Sequence, residues 1–176
     1  MNGLTKWLVW TLLGALGLHV LLVWLLPYGL MSVVLSGAAR VGGVNQIYHA
    51  PQVTEQSRTV VRPAPDLAYS ICVFDLSKGA LRVTMPQSRS YSSVSFFAHD
   101  TVNFFALNDR DVAGPAQQII LTQEGDQSAV VPPDAITVRA PSKRGLVLFR
   151  RVIPSESAWP DIDAQRREAG CQLIAA

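Results

Sequence analysis

An uncharged apolar run near the N-terminus constrains this chain more than any other feature of its sequence. Residues 7–26 carry no charged side chain, and a helix of about 20 apolar residues crosses a bilayer core of roughly 30 Å. Trp7, Trp10 and Trp24 lie toward the two ends of the run, where amphipathic aromatic side chains favour the membrane interface. We therefore expect residues 1–29 to form a single-pass anchor that contacts the lipid bilayer through residues 7–26.

The charges that flank this run predict its orientation. Lys6 and the amino terminus precede the run, whereas the next charged side chain after it is Arg40. Positively charged flanks stay on the cytoplasmic side of a membrane. We therefore expect the N-terminus in the cytoplasm and everything after Leu26 outside it.

A cleaved signal peptide is the alternative explanation of the run. Ser36 and Ala38 supply small residues in the relative positions of a cleavage site, but they lie well beyond Leu26. The run also exceeds the roughly 7–15 residues of a signal-peptide apolar region. An uncleaved signal anchor therefore fits the sequence better than a removed leader.

Length and charge limit the part of the chain that lies after the anchor. At 176 residues the chain has room for an anchor and one domain. Lys6 and Arg40 account for the formal net charge of +2, so the domain is close to neutral. Nucleic-acid binding depends on basic surfaces, and we expect no nucleic-acid partner. One group of basic residues within the domain is interpreted as a solvated edge rather than a binding patch: Lys143, Arg144, Arg150 and Arg151.

Residues 30–62 join the anchor to the domain. Residues 30–41 are apolar but too short to cross a bilayer, and we expect them at the membrane surface or packed against the domain. Residues 46–62 are mostly polar and are interpreted as a linker. The folded domain is expected over residues 63–176.

Within the domain, apolar and polar residues alternate with a period of two, which is typical of β-strands. Turn-forming residues separate the runs. We therefore predict a mainly β fold, an antiparallel β-sandwich or half-barrel closed by a C-terminal α-helix, for which Ser157 and Pro160 are a typical start. Strands are predicted at residues 71–74, 81–85, 91–97, 104–107, 118–122, 136–138 and 146–152.

Two cysteines lie far apart in the sequence. Cys72 is on the first predicted strand and Cys171 comes after the predicted C-terminal helix. In an oxidising compartment they can form a disulfide that closes a long loop, and the predicted orientation favours this pairing. The alternative is one buried thiol and one thiol near the C-terminus.

The stretch from residue 96 to residue 111 is the densest in polar side chains. His99, Asp100 and Asp109 are candidates for general acid–base chemistry. The alternative is a β-turn region in which Asn and Asp side chains bind the backbone. The sequence contains no metal-ligand motif and no nucleophile elbow, and we expect neither a metal nor another cofactor.

Several short motifs give the domain a family resemblance. PDLAYS at residues 65–70 precedes FDLS at 74–77, and YSSVSF comes next at 91–96. The pattern continues with NFF at 103–105, NDR at 108–110 and RGLVLFR at 144–150. Together they resemble the domain of unknown function 1254 family, in particular its short, membrane-anchored members with a single domain.

This resemblance implies a β architecture in a bacterial envelope, and hence a plasma (inner) membrane location with a periplasmic or extracellular domain. Ala64 stands where larger members carry an asparagine, and the second β domain that is often present in them is missing. By analogy with the family, the positions to test first are Asp66, Tyr69, Asn103, Asn108, Asp109 and Arg110.

The sequence supports three functional hypotheses. The preferred one is a non-catalytic envelope module that binds a partner protein or a small ligand. The second is an envelope enzyme that uses acid–base residues between His99 and Asp111. The third is a small subunit of a membrane complex, in which the helix is the functional part.

Overall fold

A computed structural model of the chain describes residues 2–58, 62–112, 114–125 and 132–174. It contains a long N-terminal helix, two β-sheets that face each other and a short C-terminal helix, so the prediction of a mainly β fold is confirmed. The helices are α1 (Gly3–Gly42) and α2 (Trp159–Arg166). The strands are β1 (Ile47–His49), β2 (Leu67–Asp75), β3 (Leu81–Pro86), β4 (Ser92–Ala98), β5 (Asn103–Asn108), β6 (Ala116–Gln123), β7 (Ile136–Ala140), β8 (Arg144–Val152) and β9 (Gly170–Leu173).

Helix α1 is longer than the anchor predicted from the sequence. The helix continues through Pro27, although proline removes one backbone hydrogen bond and usually kinks or ends a helix. The residues that follow, Tyr28 and Gly29, are not strong helix formers either, so the packing of the subsequent turns on the domain favours continuation. Within the described residues, α1 alone is long and apolar enough to cross a membrane, and no residue of its apolar window is buried.

The last third of α1 packs on the domain. Met31 and Leu35 are buried against Val73 of β2 and Leu146 of β8, with Phe97 at the border of the cluster. Of the two placements expected for residues 30–41, the structure shows packing against the domain. Apolar burial therefore couples the helix directly to the five-stranded sheet.

Leu35→Ala is expected to destabilise this junction by about 2–5 kcal/mol, because the side chain is 2% exposed and its removal leaves a cavity. The measurement is urea unfolding of the full chain in detergent. Val33→Ala is the matched control, since Val33 lies in the same turn but is 64% exposed. Equal unfolding midpoints for the two variants would argue against tight packing of α1 on the sheet.

The two sheets contain five and four strands. The larger sheet has the order β1-β2-β8-β4-β5 and is antiparallel throughout. The smaller sheet has the order β7-β6-β3-β9, and its pairs are antiparallel except for the parallel pair of β6 and β7. All strands predicted from the period of two are present.

Two short strands were not predicted. Strand β1 lies in the segment interpreted as a linker and pairs with β2, so the polar composition of that segment concealed an edge strand. Strand β9 comes after α2, which therefore does not end the fold, and pairs with β3. Both strands have only three or four residues, which is too short to show a clear alternation.

The main hydrophobic core fills the space between the two sheets. Phe74, Phe96 and Leu121 are among its fully buried members. The Sγ atoms of Cys72 on β2 and Cys171 on β9 lie at disulfide-bonding distance, with the Cα atoms 6.5 Å apart. This pair connects the larger sheet to the smaller one.

Candidate functional site

The candidate residues predicted from the sequence lie at two opposite ends of the larger sheet. His99 and Asp100 form the turn between β4 and β5. The His99 Nε2 atom lies 3.2 Å from Ser32 Oγ, and its ring lies 5.8 Å from the ring of Tyr28. Asp100 Oδ1 accepts a hydrogen bond from the backbone of Val102. This end of the sheet therefore contacts α1.

The other candidates, apart from the exposed Asn103 at the start of β5, lie at the far end of the sheet. Asn108 caps a short 3-10 turn by accepting a hydrogen bond from the backbone of Arg110, which is exposed. Asp109 Oδ1 accepts a hydrogen bond from the backbone of Ser92. These contacts are those of a turn region, in which Asn and Asp side chains organise the backbone.

Asp66 and Tyr69 lie at the same far end, at the start of β2. Asp66 is exposed, and its backbone carbonyl accepts a hydrogen bond from Ile153. The Tyr69 hydroxyl accepts a hydrogen bond from the backbone of Ala64, and the Tyr69 carbonyl accepts one from Arg166 Nη1 at 2.7 Å. Tyr69 is therefore in direct contact with a second group of polar residues.

The proposed acid–base residues do not converge. His99 and Asp109 lie beyond opposite ends of β5, which has six residues, and a strand rises about 3.3 Å per residue. The length of β5 alone therefore separates them by roughly 15–20 Å. No group of three or more His, Cys, Asp or Glu side chains in the described part of the chain is arranged to hold a metal ion.

A small cavity lies between the sheets at the far end. Its volume, measured as the space open to the centre of a water molecule, is about 20 Å³. Side chains of β2, β3, β4 and β8 line it together with Arg166 and Ala169 from α2 and the residues after it. The apolar lining includes Ala68, Met85, Pro86 and Phe149.

Two arginines of the central strand β8 line this cavity, the exposed Arg150 and the buried Arg151. The Arg151 side chain is 5% exposed, and Nη1 has no hydrogen-bond partner among the described residues. In the sheet Arg151 pairs with Ala68 on one side and Ser92 on the other. Burial, aided by the positive charge of Arg166, lowers the pKa of Arg151, whereas Glu168 and Asp109 act in the opposite direction.

Ser92 lies beside Arg151 in the sheet. Its side chain is 4% exposed, and its hydroxyl likewise lacks a partner among the residues that the structure describes. Directly paired residues of antiparallel strands hold their Cβ atoms about 4.5–5.5 Å apart on the same face. Arg151 and Ser92 therefore present two unused hydrogen-bond donors to the same cavity.

Arg166 is the second buried guanidinium, and its charge is already neutralised. Its Nε atom donates a hydrogen bond to Asp163 at 2.7 Å, its Nη2 atom donates to the same carboxylate oxygen, and its guanidinium lies 5.0 Å from the ring centroid of Trp159. Arg167 donates to the other oxygen of Asp163. This network fixes α2 against the start of β2.

Asp163 makes the stability of this network depend on pH. Partial burial acts to raise the pKa of Asp163, but hydrogen bonds from Arg166 and Arg167 outweigh it and lower the pKa below the ordinary value of 3.8. A lowered carboxyl pKa contributes stability that is present above the ordinary value and is lost as the pH falls through the folded-state value.

We therefore expect the stability advantage of the wild type over Asp163→Asn to be constant near neutral pH and to shrink as the pH falls below about 4. The measurement is urea unfolding of the full chain in detergent across this range. Asp161→Asn is the control, because Asp161 is an exposed carboxylate of the same helix. An advantage that stays constant down to the lowest pH would contradict the assignment.

His49 on β1 lies near the same positive charges. Its Nδ1 atom is 2.8 Å from the hydroxyl of Ser70, which also lines the cavity. Burial, followed by the positive charges of Arg166 and Arg167, lowers the pKa of His49 below 6.5, although Asp163 acts in the opposite direction. Burial is the largest cause of the lowered pKa of both His49 and Arg151.

The interpretation of the basic group as a solvated edge was wrong for one of its members. Lys143, Arg144 and Arg150 are exposed, but Arg151 is buried. The alternation along β8 contains the signal that would have found it, because Arg151 shares the inward face with Val147 and Phe149. The other cavity residues come from segments whose proximity only the fold reveals.

Comparison with one solved structure supports this fold. The chain resembles the crystal structure of the VPA0106 protein from Vibrio parahaemolyticus, with a TM-score of 0.63 and 11% identity over 86% of this chain and 36% of that one. A putative uncharacterized protein from Burkholderia cenocepacia gives a TM-score of 0.46 and 19% identity, over 62% of this chain and 31% of the other. The chain therefore spans about a third of the length of these structures.

Comparison with protein families identifies the domain. No curated protein matches the chain. Residues 44–172 match the family described as Protein of unknown function (DUF1254). The match begins directly after α1 and includes β1, both sheets and α2, so this chain belongs to the DUF1254 family.

Proposed function

We propose that the chain is a membrane-anchored module of the cell envelope, whose β domain binds a small ligand or a partner protein outside the cytoplasm. The observation that carries this proposal is the continuity of α1. Its first part exposes apolar side chains such as Trp10 and Trp24, at 73% and 71%, while Met31 and Leu35 of the same helix are buried on the sheet. One helix thus presents an apolar segment suited to lipid and packs its last third against the domain.

The cysteine pair supports the predicted side of the membrane. Cys72 and Cys171 lie at disulfide-bonding distance, and disulfides persist in oxidising compartments but are rare in the cytoplasm. Lys6 at the other end of the apolar segment favours a cytoplasmic N-terminus. The two features lie on opposite sides of the segment and favour the same orientation.

The geometry favours binding over catalysis. The acid–base candidates His99 and Asp109 lie at opposite ends of the larger sheet, whereas a general acid and base have to reach one substrate. The cavity beside Arg151 holds unused hydrogen-bond donors and apolar walls, which is the usual composition of a small-molecule site. The enzyme hypothesis therefore has less support than the ligand-binding one.

Cysteine labelling in intact cells tests the orientation. Ser157→Cys places a thiol at an exposed position next to α2, and Asn2→Cys places one at the other end of α1. Among the described residues the native cysteines are paired, so a membrane-impermeant maleimide reports the introduced thiol.

We expect Ser157→Cys to react in intact cells and Asn2→Cys to react only after lysis. Labelling of Asn2→Cys alone in intact cells would show the opposite orientation, with the N-terminus outside and the domain in the cytoplasm. If both variants react only after lysis, the domain is cytoplasmic and the envelope proposal fails.

A further inference from the structure

The Arg151 side chain is a buried cation without a counter-ion in the described chain. Arg166 and Arg167 pair with Asp163, and Arg144 pairs with Asp75, but no described carboxylate forms an ion pair with Arg151. Transfer of a charge out of water carries a large free-energy penalty unless an opposite charge and hydrogen bonds compensate it. An anion bound beside Arg151 would supply both.

The charge of the cavity selects for a singly charged anion. Arg166 donates three hydrogen bonds to protein oxygens and is neutralised by Asp163. Arg150 also lines the cavity but is exposed, so Arg151 is the one guanidinium among the described lining residues that is buried and forms no ion pair. A monoanion balances this charge, whereas a dianion would leave an excess negative charge in a desolvated site.

The size and lining of the cavity restrict the ligand further. The space open to the centre of a water molecule is only about 20 Å³, which limits the bound group to a few heavy atoms. Ala68, Met85, Pro86 and Phe149 present apolar walls next to the donors of Arg151 and Ser92. A planar carboxylate matches a guanidinium geometrically, and a short apolar tail matches the walls.

We propose that this cavity binds the carboxylate of a small monocarboxylic acid, to which Arg151 Nη1 and the Ser92 hydroxyl donate hydrogen bonds. The proposal rests on the function of the domain as a ligand-binding module and adds the chemical class of the ligand. Glycine-rich phosphate loops and acidic metal-binding groups play no part in such a site. Recognition depends on one buried charge, one hydroxyl and a short apolar surface.

The test is the thermal stability of the full chain in detergent, measured against sodium acetate and sodium propionate at constant pH and ionic strength. Sodium chloride and sodium phosphate serve as the comparison anions. A ligand that binds only the folded state raises the melting temperature along a saturable curve. We expect acetate and propionate to give such curves, and chloride and phosphate at the same ionic strength to give smaller, unsaturable changes.

Single substitutions test whether the rise in melting temperature with acetate comes from binding in this cavity. Arg151→Gln removes the charged donor and is expected to weaken acetate binding by about a hundredfold, which is the scale of a hydrogen bond between charged groups. Arg139→Gln is the control, because it removes the same charge from an exposed position of β7. Ser92→Ala keeps the guanidinium and is expected to weaken binding by about tenfold, which provides a test even where Arg151→Gln does not fold.

Three results would overturn the proposal. The first two are the lack of a saturable rise in the melting temperature with either acid, and wild-type affinity for acetate in both single variants, Ser92→Ala and Arg151→Gln. The third is stronger stabilisation by phosphate than by acetate. Saturation-transfer NMR on the propionate methyl protons provides a second, direct readout of contact with the apolar walls. These measurements use purified protein and do not depend on its orientation in a membrane. If these binding tests fail while the cysteine labelling gives the expected pattern, the proposal of a carboxylate ligand is wrong, but the proposal of a membrane-anchored envelope module is retained.

Discussion

Replacing both cysteines in Cys72→Ala/Cys171→Ala is expected to lower the free energy of unfolding by about 4–5 kcal/mol. The bond would close a loop with a sequence separation of 99 residues, and a cross-link of that length strongly restricts the unfolded chain. Both side chains are also buried in the main core, at 0% and 3% exposure. The measurement is urea unfolding of the full chain in detergent without reductant.

Unfolding of the wild type in reductant separates the contribution of the cross-link from that of the core packing of the two side chains. Reduction opens the cross-link but keeps both sulfur atoms in the core, so the difference between reduced wild type and double variant reports the lost packing alone. We expect most of the destabilisation to be present already in the reduced wild type. Equal midpoints for the oxidised and the reduced wild type would show that no disulfide cross-links the folded protein.

Gly145→Ala is expected to destabilise the domain by about 3 kcal/mol or more, at the upper end of the range for overpacking. Gly145 lies on β8 between Phe74 of β2 and Ala98 of β4. A Cβ atom at this position would overlap the backbone carbonyl oxygen of Phe97 and the ring of Phe74. The carbonyl belongs to a paired central strand and the ring is fully buried, so neither can move without disrupting the sheet.

Gly37→Ala is the matched control for this substitution. Gly37 lies in α1, and a Cβ atom there would meet nothing within 4 Å, so alanine is expected to be neutral or stabilising by up to about 1 kcal/mol through helix propensity. The readout is the urea midpoint of each variant, with expression level as a secondary measure. A midpoint for Gly145→Ala within the range of the control would contradict the packing argument.

The strands were predictable because each sheet buries one face against the other, which imposes a period of two on residues such as Leu81, Val83 and Met85. The course of α1 was predictable only in part. Proline at position 27 signals a break, and only the contacts of Met31 and Leu35 with the sheet explain why the helix continues. At Pro27, tertiary packing outweighs the low helix propensity of proline.

The candidate site was less accessible to sequence reasoning than the fold. Two adjacent arginines at the end of a strand resemble a solvated edge, although the alternation assigns Arg151 to the buried face and Arg150 to the other. Arg166, Ala169 and Met85 reach the same cavity from distant parts of the chain, and a single sequence contains no measure of that proximity. Turn chemistry at Asn108 and Asp109 was recognisable, because short polar side chains bind the backbone within a few residues.

The strand order has a consequence for how the protein is made. Strand β8 lies between β2 and β4 and is the only element that joins these two strands in the larger sheet of the described chain. Within the larger sheet, a nascent chain that has not yet released residues 144–152 can therefore form only two separate strand pairs, with their inner edges open. Such non-local pairing slows folding, and open edges favour aggregation. Completion of the sheet thus has to wait for residues 144–152, and a product truncated before β8 is expected to be a substrate for quality-control proteases rather than a smaller version of the domain.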